Sequence, residues 1–268
     1  MANLHHHTCG NADAYEAYMG RWSLPMANGV LQWLHPQPNL DWLDVGCGTG
    51  ALTSAILDQA APRSITGIDP SADFLTSARS QIADFRAHFA VATAADLLFP
   101  TASFDIAIAG LVLHLIQDPS SAVQEMSRVV RPAGTVAAYV WDFTGEQQFT
   151  HAFWNVATEL DPAAAAFDPA VHTNLCAREP LAELFRAAGL HQVAVESLAM
   201  PVVFRDFNDF WLPHLLKGSP PVQRYTATLN EPALARLRER LLVTLPLAAD
   251  GTLPLLGRVW AARGTKGP

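Results

Sequence analysis

The chain is poor in the residues that staple, charge or anchor a protein. Only three of its 268 residues are cysteine. Cys9, Cys47 and Cys176 lie far apart, which argues against both a disulfide framework and a zinc site. Charge is also scarce, at 16% of residues, and the basic sign is the scarcer: 17 Lys and Arg against 25 Asp and Glu, a formal charge of −8. Such an acidic chain lacks the basic footprint of a general nucleic-acid binder. Arg236, Arg238 and Arg240 share a stretch with Leu234, Leu237 and Leu241, and are expected to form the solvated flank of a helix. No apolar run is long enough to span a bilayer. Met1 to Gly10 shows no basic stretch leading into an apolar one, so no signal peptide is expected and the expected location is the cytoplasm. His5, His6 and His7 read as part of a flexible tail, and no metal site is expected. There is no internal repeat and no long low-complexity tract.

Half of the residues are hydrophobic, enough for a full core. From Trp42 onward, strands and helices alternate. Strands are expected at Trp42–Val45, Ser64–Ile68, Phe89–Ala92, Phe104–Ala109 and Thr135–Trp141. Helices are expected over Gly50–Gln59, after Pro70, and behind Ser120 and Ser121 as caps, with Val123, Met126, Val129 and Val130 on the apolar face. This βαβαβ order predicts an α/β fold with a doubly wound, mostly parallel sheet. Residues 143–176 read as helical, Pro180–Ala188 as a helix stopped by Gly189, and 205–245 as a helical insertion. Val193–Leu198 and Leu255–Ala262 read as further strands. The expected organisation is a helical arm or lid at 1–40, a ligand-binding core at 41–142, and cap helices with the rest of the sheet at 143–268, as one domain overall.

The most informative segment is Leu43-Asp44-Val45-Gly46-Cys47-Gly48-Thr49-Gly50. It reads as a strand running into a glycine turn that opens a helix, the place where open α/β sheets bind nucleotides. Gly46, Gly48 and Gly50 let a ligand approach the backbone closely. Asp44 sets the ligand's charge. A carboxylate there repels the pyrophosphate of a dinucleotide and attracts a ligand carrying an ammonium and a sulfonium. A phosphate-free cationic nucleoside is implied, and S-adenosylmethionine fits. Asp69 follows the second strand about 20 residues past the loop, where an acidic residue accepts from a ribose diol; it can also cap the helix after it. Asp96, past the third strand, can accept from the adenine amino group while Leu97 packs on the ring.

These motifs, with Gly67-Ile68-Asp69-Pro70-Ser71, Ala95-Asp96-Leu97-Leu98-Phe99-Pro100, Phe104-Asp105-Ile106 and Arg128-Val129-Val130-Arg131-Pro132-Ala133-Gly134, resemble those of the class I S-adenosylmethionine-dependent methyltransferases. The likeness is to the branch holding the ubiquinone and menaquinone C-methyltransferases. Tyr15 to Ser23 resembles an arm common in bacterial members. The resemblance implies a seven-stranded, Rossmann-like sheet whose last strand is antiparallel, here Leu255–Ala262. It departs from the family at Ala133, where a second glycine is common. It further implies donor-binding roles for Asp44, Gly46, Gly48, Gly50, Asp69, Pro70, Asp96 and Leu97, with the backbone at Gly110 receiving the ammonium. Arg21 is a physical candidate for the methionine carboxylate, because a guanidinium matches a carboxylate in a fork.

Methyl transfer from a sulfonium needs alignment and exclusion of water more than it needs an acid or base. His114, just past the fourth strand, is the candidate base for a phenol or an acidic carbon, and His151 a weaker one. Trp141, Phe153, Trp154 and Trp211 are the candidate lining of an apolar or aromatic acceptor pocket, with Phe149, Phe207 and Phe210 beside them. The expected activity is methyl transfer to an oxygen or carbon nucleophile of a small molecule, with S-adenosylhomocysteine as product. Two alternatives stand beside it: a donor-binding relative that transfers nothing, acting as a partner protein or cyclisation catalyst, and a nicotinamide-dependent oxidoreductase. Asp44 and the Gly-x-Gly-x-Gly spacing weigh against the last.

Overall fold

A computed structural model describes residues 19–143, 148–215 and 220–268. His5 to His7, Cys9 and the Tyr15–Tyr18 part of the arm lie outside the described residues. In chain order the elements are α1 (Arg21–Leu34), β1 (Asp41–Val45), α2 (Ala51–Gln59), β2 (Ser64–Asp69), α3 (Ala72–Gln81), β3 (Ala87–Val91), β4 (Phe104–Gly110), α4 (Pro119–Val129) and β5 (Val130–Trp141). They continue with α5 (Gln148–Leu160), α6 (Arg178–Ala187), β6 (Leu190–Phe204), α7 (Phe207–Leu215), α8 (Pro220–Thr226), α9 (Glu231–Thr244) and β7 (Leu253–Lys266). Short helical turns lie at Leu113–Leu115, Pro162–Phe167 and Pro169–His172.

The strands form one seven-stranded sheet in the order β3-β2-β1-β4-β5-β7-β6. β1 pairs in parallel with both β2 and β4, β2 with β3, and β4 with β5. The winding reverses between β1 and β4, and that reversal opens the crevice in which doubly wound folds bind ligands. β1 and β4 are nearly all buried (Trp42, Leu43, Val45, Ile106, Ala107, Ile108), as strands covered on both faces must be.

Contacts divide the chain into two compact units. One comprises residues 23–140, 175–198 and 259–268, and the other 1–22, 141–174 and 199–258. The first holds the parallel strands and α2, α3, α4 and α6. α4 shows why its sequence makes a helix: Pro119 takes the first turn, and Ala122, Val123, Met126 and Val129 form the buried face. Its cap is Asp118, whose carboxylate accepts from Ser121 N–H at 3.0 Å, and not Ser120 or Ser121. In the second unit, α5 buries Phe149, Phe153, Trp154 and Val156, and α9 buries Leu237 and Leu241. Arg240 reaches Glu159 at 2.7 Å, and Arg236 is exposed.

Three strands run past their expected ends. β6 extends through Pro201 to Phe204; it is an edge strand, where a missing N–H costs no ladder bond. β7 continues through Arg263 and Gly264. β5 starts at Val130, which pairs with Phe104; the register then shifts, and the ladder resumes at Ile106 opposite Thr135. The extra residues bulge out as the turn expected at Pro132-Ala133-Gly134. Ala133 sits there at φ 62, a conformation that costs an L-residue about 1–2 kcal/mol and glycine nothing. Ala133→Gly should therefore raise stability by about 0.5–1 kcal/mol, the gain reduced by glycine's freedom in the unfolded chain. Urea unfolding checks this, and a variant less stable than the native chain would refute the strain.

Candidate functional site

The glycine loop is tied to the end of β2. Gly46 and Cys47 N–H groups both donate to the Ile68 carbonyl, at 2.8 and 2.9 Å. Gly46 has φ +73, and a Cβ there would stand 2.7 Å from Val112 Cγ2, so only glycine fits. Gly48 N–H donates to Asp69 Oδ2 at 3.0 Å, and Ser71 N–H donates to Asp69 Oδ1 at 2.8 Å. Asp69 therefore holds the loop and the start of α3 together. The cap of α3 is Ser71, whose Oγ accepts from Phe74 N–H, so Asp69 is not the cap. Each Asp69 oxygen carries one bond and keeps a lone pair for a ligand hydroxyl. Burial raises its pKa, and the two backbone N–H groups work against that rise.

Asp44 is fully buried on β1. Its Oδ2 accepts from Thr53 Oγ1 at 2.7 Å. Its Oδ1 is buried with no hydrogen-bond partner among the described residues. Burial is the main cause that lifts its pKa from 3.8 to about 7; the nearby Asp69 adds to this and Thr53 opposes it. A buried carboxylate oxygen without a donor is costly, and an ammonium group placed there would relieve that cost. Burial also raises the Cys47 pKa, with Asp44 and Asp69 adding to it, so the thiol stays protonated.

Across the reversal, β4 ends at Gly110. A Cβ there would stand 2.6 Å from Tyr139 Oη. Leu111 follows with φ 57, and its N–H donates to Tyr139 O at 2.8 Å. A left-handed leucine at a strand end is strained, and the strain lies beside the residue expected to meet the ammonium. His114 lies in the helical turn that follows, half-buried. Asp96 is exposed, as is Pro70. Leu97 is only 1% exposed, so its side chain belongs to the interior.

Other expected residues have different surroundings. Arg21 Nη1 donates to both carboxylate oxygens of Asp209 at 3.1 Å, and Nη2 donates to the Asp209 carbonyl at 3.3 Å. Its guanidinium also stacks on Trp22 and Phe204, 4.7 and 4.8 Å from the ring centroids. The fork expected to take a ligand carboxylate is thus already committed to a protein one. Although burial works the other way, hydrogen bonds from Arg205 and the charge of Arg21 hold Asp209 at about 2. Trp141, Phe153, Trp154 and Trp211 are all 3% exposed or less. They pack as rings on rings: Trp141 on Phe149, Phe153 on Trp154, Trp154 on Tyr225, and Trp211 stacked on Phe207. That is the packing of a hydrophobic interior. His151 Nε2 lies 2.9 Å from the Phe143 carbonyl.

Two ion pairs escape a reading of the sequence. Asp142, just past β5, is fully buried and bound by Arg258 of β7. On α4, Glu125 and Arg128 pair with each other and with the backbone of residues 97–99. The available signal was a charged residue inside an apolar strand for Arg258, and the quoted motif for Arg128. A cavity of about 570 Å3 lies at the opposite strand ends, lined by Asp105, Arg131, Gln192 and Arg263 among others. None of the expected donor residues lines it.

The glycine loop and the buried Asp44 carboxylate thus stand at the C-terminal end of β1, beside the winding reversal. Comparison with known proteins adds the following. Residues 43–138 match the family described as "Methyltransferase domain". Among relatives, malonyl-[acyl-carrier protein] O-methyltransferase of Pseudescherichia vulneris is 34% identical over 54% of this chain and 52% of its own length. Demethylmenaquinone methyltransferase of Desulfitobacterium hafniense is 28% identical over 65% of this chain and 75% of its own. The chain spans about half the length of the first two curated relatives it matches. The solved phosphoethanolamine N-methyltransferase 2 of Haemonchus contortus with S-adenosyl-L-methionine superposes over 97% of this chain and 58% of its own, with TM-score 0.60 and 17% identity. At that identity it shows the shared fold.

Proposed function

We propose that the protein transfers a methyl group from S-adenosylmethionine to an oxygen or carbon nucleophile of a small, partly apolar molecule. The observation that carries the reading is Asp44 Oδ1, a buried carboxylate oxygen beside the glycine loop with no hydrogen-bond partner among the described residues. The cofactor, when bound, supplies a methyl group on a positively charged sulfur. The chain's residues hold and orient it. Asp44 takes the ammonium, with the backbone at Gly110 beside it. Asp69 accepts from the ribose hydroxyls, and Asp96 accepts from the adenine amino group. Gly46, Gly48 and Gly50 leave room for the ligand against the backbone. His114 holds the proton that a phenolic or acidic-carbon acceptor gives up. Transfer of that methyl group to the acceptor would leave S-adenosylhomocysteine, held by the same residues, as the product.

The setting is the cytoplasm in this reading. Supporting it, no helix among the described residues is long and apolar enough to cross a membrane, and no disulfide forms among them. The partner is a small-molecule acceptor. The test is incubation with methyl-labelled donor and a metabolite library. Label in a small product supports the reading, and donor binding with persistent absence of transfer favours a non-transferring relative. Asp69→Ala should weaken donor binding at least about tenfold, from the loss of hydrogen bonds to a charged acceptor. Calorimetry reads this directly, and unchanged affinity in a folded variant removes Asp69 from the ribose site.

A further inference from the structure

The segment that carries Asp96 has little regular structure of its own. Between β3 and β4 the chain makes turns, with a single bridge between Thr93 and Asp96. An irregular loop has no ladder to fix it, so its backbone groups must be satisfied some other way. Two side chains one turn apart on α4 do this. Leu97 N–H donates to Glu125 Oε2 at 3.0 Å. Arg128 Nη2 donates to the Leu97 carbonyl at 2.7 Å and Nη1 to the Phe99 carbonyl at 2.8 Å. The two side chains lock each other: Arg128 Nε donates to Glu125 Oε1 at 2.7 Å and Nη2 to Oε2 at 2.8 Å.

The clamp is electrostatically committed. Its hydrogen bond to Arg128 is the main cause that lowers the Glu125 pKa, and the bond to Glu125 raises that of Arg128. The Asp96 charge also raises it, so the guanidinium feels the Asp96 carboxylate without a hydrogen bond to it. Leu97 is therefore an anchor, its side chain buried and both its backbone groups held by α4. Asp96, its exposed neighbour, is presented by that anchor.

We propose that Glu125 and Arg128 are positioning residues for the base end of the donor site. They fix residues 97–99 so that the Asp96 carboxylate stands where an adenine amino group can donate to it. The inference rests on the reading of Asp96 given above. Fixing a recognition group in advance removes an ordering cost from binding, and its loss falls on the part of the ligand that group reads.

The test compares calorimetric affinities for S-adenosylhomocysteine and S-inosylhomocysteine, which differ in whether the base carries an amino group or a carbonyl. Thermal unfolding reports the fold of each variant. The native chain should prefer the adenosyl ligand, and Asp96→Ala should lose that preference. Arg128→Ala should lower the preference about tenfold, and Arg128→Lys should recover part of it. Glu125→Gln, which keeps an acceptor for Leu97 N–H, should lie between. If Arg128→Ala does not fold, the lysine and glutamine variants carry the comparison. Folded variants that keep the full base preference, or weaken both ligands equally, overturn the proposal. A native chain that binds neither ligand overturns the donor reading instead, and a preference that survives Asp96→Ala removes the residue the clamp would serve.

Discussion

Asp44→Asn should bind S-adenosylmethionine about a hundredfold more weakly than the native chain at pH 7.5, because a charged acceptor for the ammonium is gone. The variant keeps an oxygen for Thr53, so the loss reports the charge. The native affinity should itself depend on pH. Asp44 titrates at about 7 in the ligand-free fold. Below that pH a proton must leave before the ammonium can pair, so affinity should fall by up to about tenfold per pH unit. The asparagine variant should not follow, and the two proteins should converge near pH 5. Above about pH 8 the ligand's amino group loses its own proton, so binding should be tightest between about 7 and 8. A native affinity flat from pH 5 to 7.5 would falsify the assignment.

The same group leaves a mark on folding. Its pKa is about 7 in the fold against 3.8 for the ordinary carboxyl, so the folded state holds the proton more tightly than the unfolded chain. Its stabilising contribution is full below about pH 4 and is lost as pH rises through about 7. The total is about 4 kcal/mol for a fully buried group. Melts of the ligand-free protein at pH 5.5 and 8 should show this slope in the native chain and its reduction in Asp44→Asn. Donor binding should recover part of the loss at pH 8.

Arg258→Ala should have the largest effect on stability, about 3–5 kcal/mol, because it takes the guanidinium away from the buried Asp142 carboxylate. The pair joins the residue after β5 to β7, and Asp142 N–H also donates to the Arg258 carbonyl at 3.0 Å. The side chains differ in burial, 17% exposed for Arg258 and 1% for Asp142. Removing the carboxylate should therefore be the milder change, since the guanidinium keeps some water. In Asp142→Asn/Arg258→Met, where neither charge remains, much of the loss should return. Urea unfolding of the three variants decides it. A double variant no better than Arg258→Ala alone would mean that the cost comes from packing and not from the loss of the ion pair.

Local pattern carried the parallel half of the fold and not its polar cross-links. β1, β2 and β4 are short apolar runs bounded by turn residues, and the structure has them within a residue or two of the expected ends. Asp44 and Asp69 stand out in the sequence because each falls at or near the end of a strand, beside the glycine loop. The 142–258 pair does not, because the partners are far apart in sequence and neither sits in a local motif. Caps were misread where two candidates stood side by side. Asp118 wins over Ser120 because Pro119 fills the first helical position after it, and Ser71 wins over Asp69, whose oxygens are taken by Gly48 and Ser71 N–H groups. Arg21 looked available to a ligand because Asp209, its partner, is 188 residues away. Leu97 and the aromatic residues were read by type. Type marks them as apolar without telling a pocket wall from an interior.

The chain passes between its two compact units at five places, after residues 22, 140, 174, 198 and 258. Three of these crossings fall inside β5, β6 and β7. Neither unit is a continuous piece of polypeptide, so neither can be excised, expressed alone or exchanged with a relative's by cutting at linkers. A chimaera meant to change the acceptor while keeping the donor loop would have to splice within three strands and preserve their register. Change is easier inside the loops and helices between the crossings, above all the stretch from 141 to 174 and that from 205 to 252. Insertions and substitutions there leave the glycine loop and the parallel strands that carry it in place.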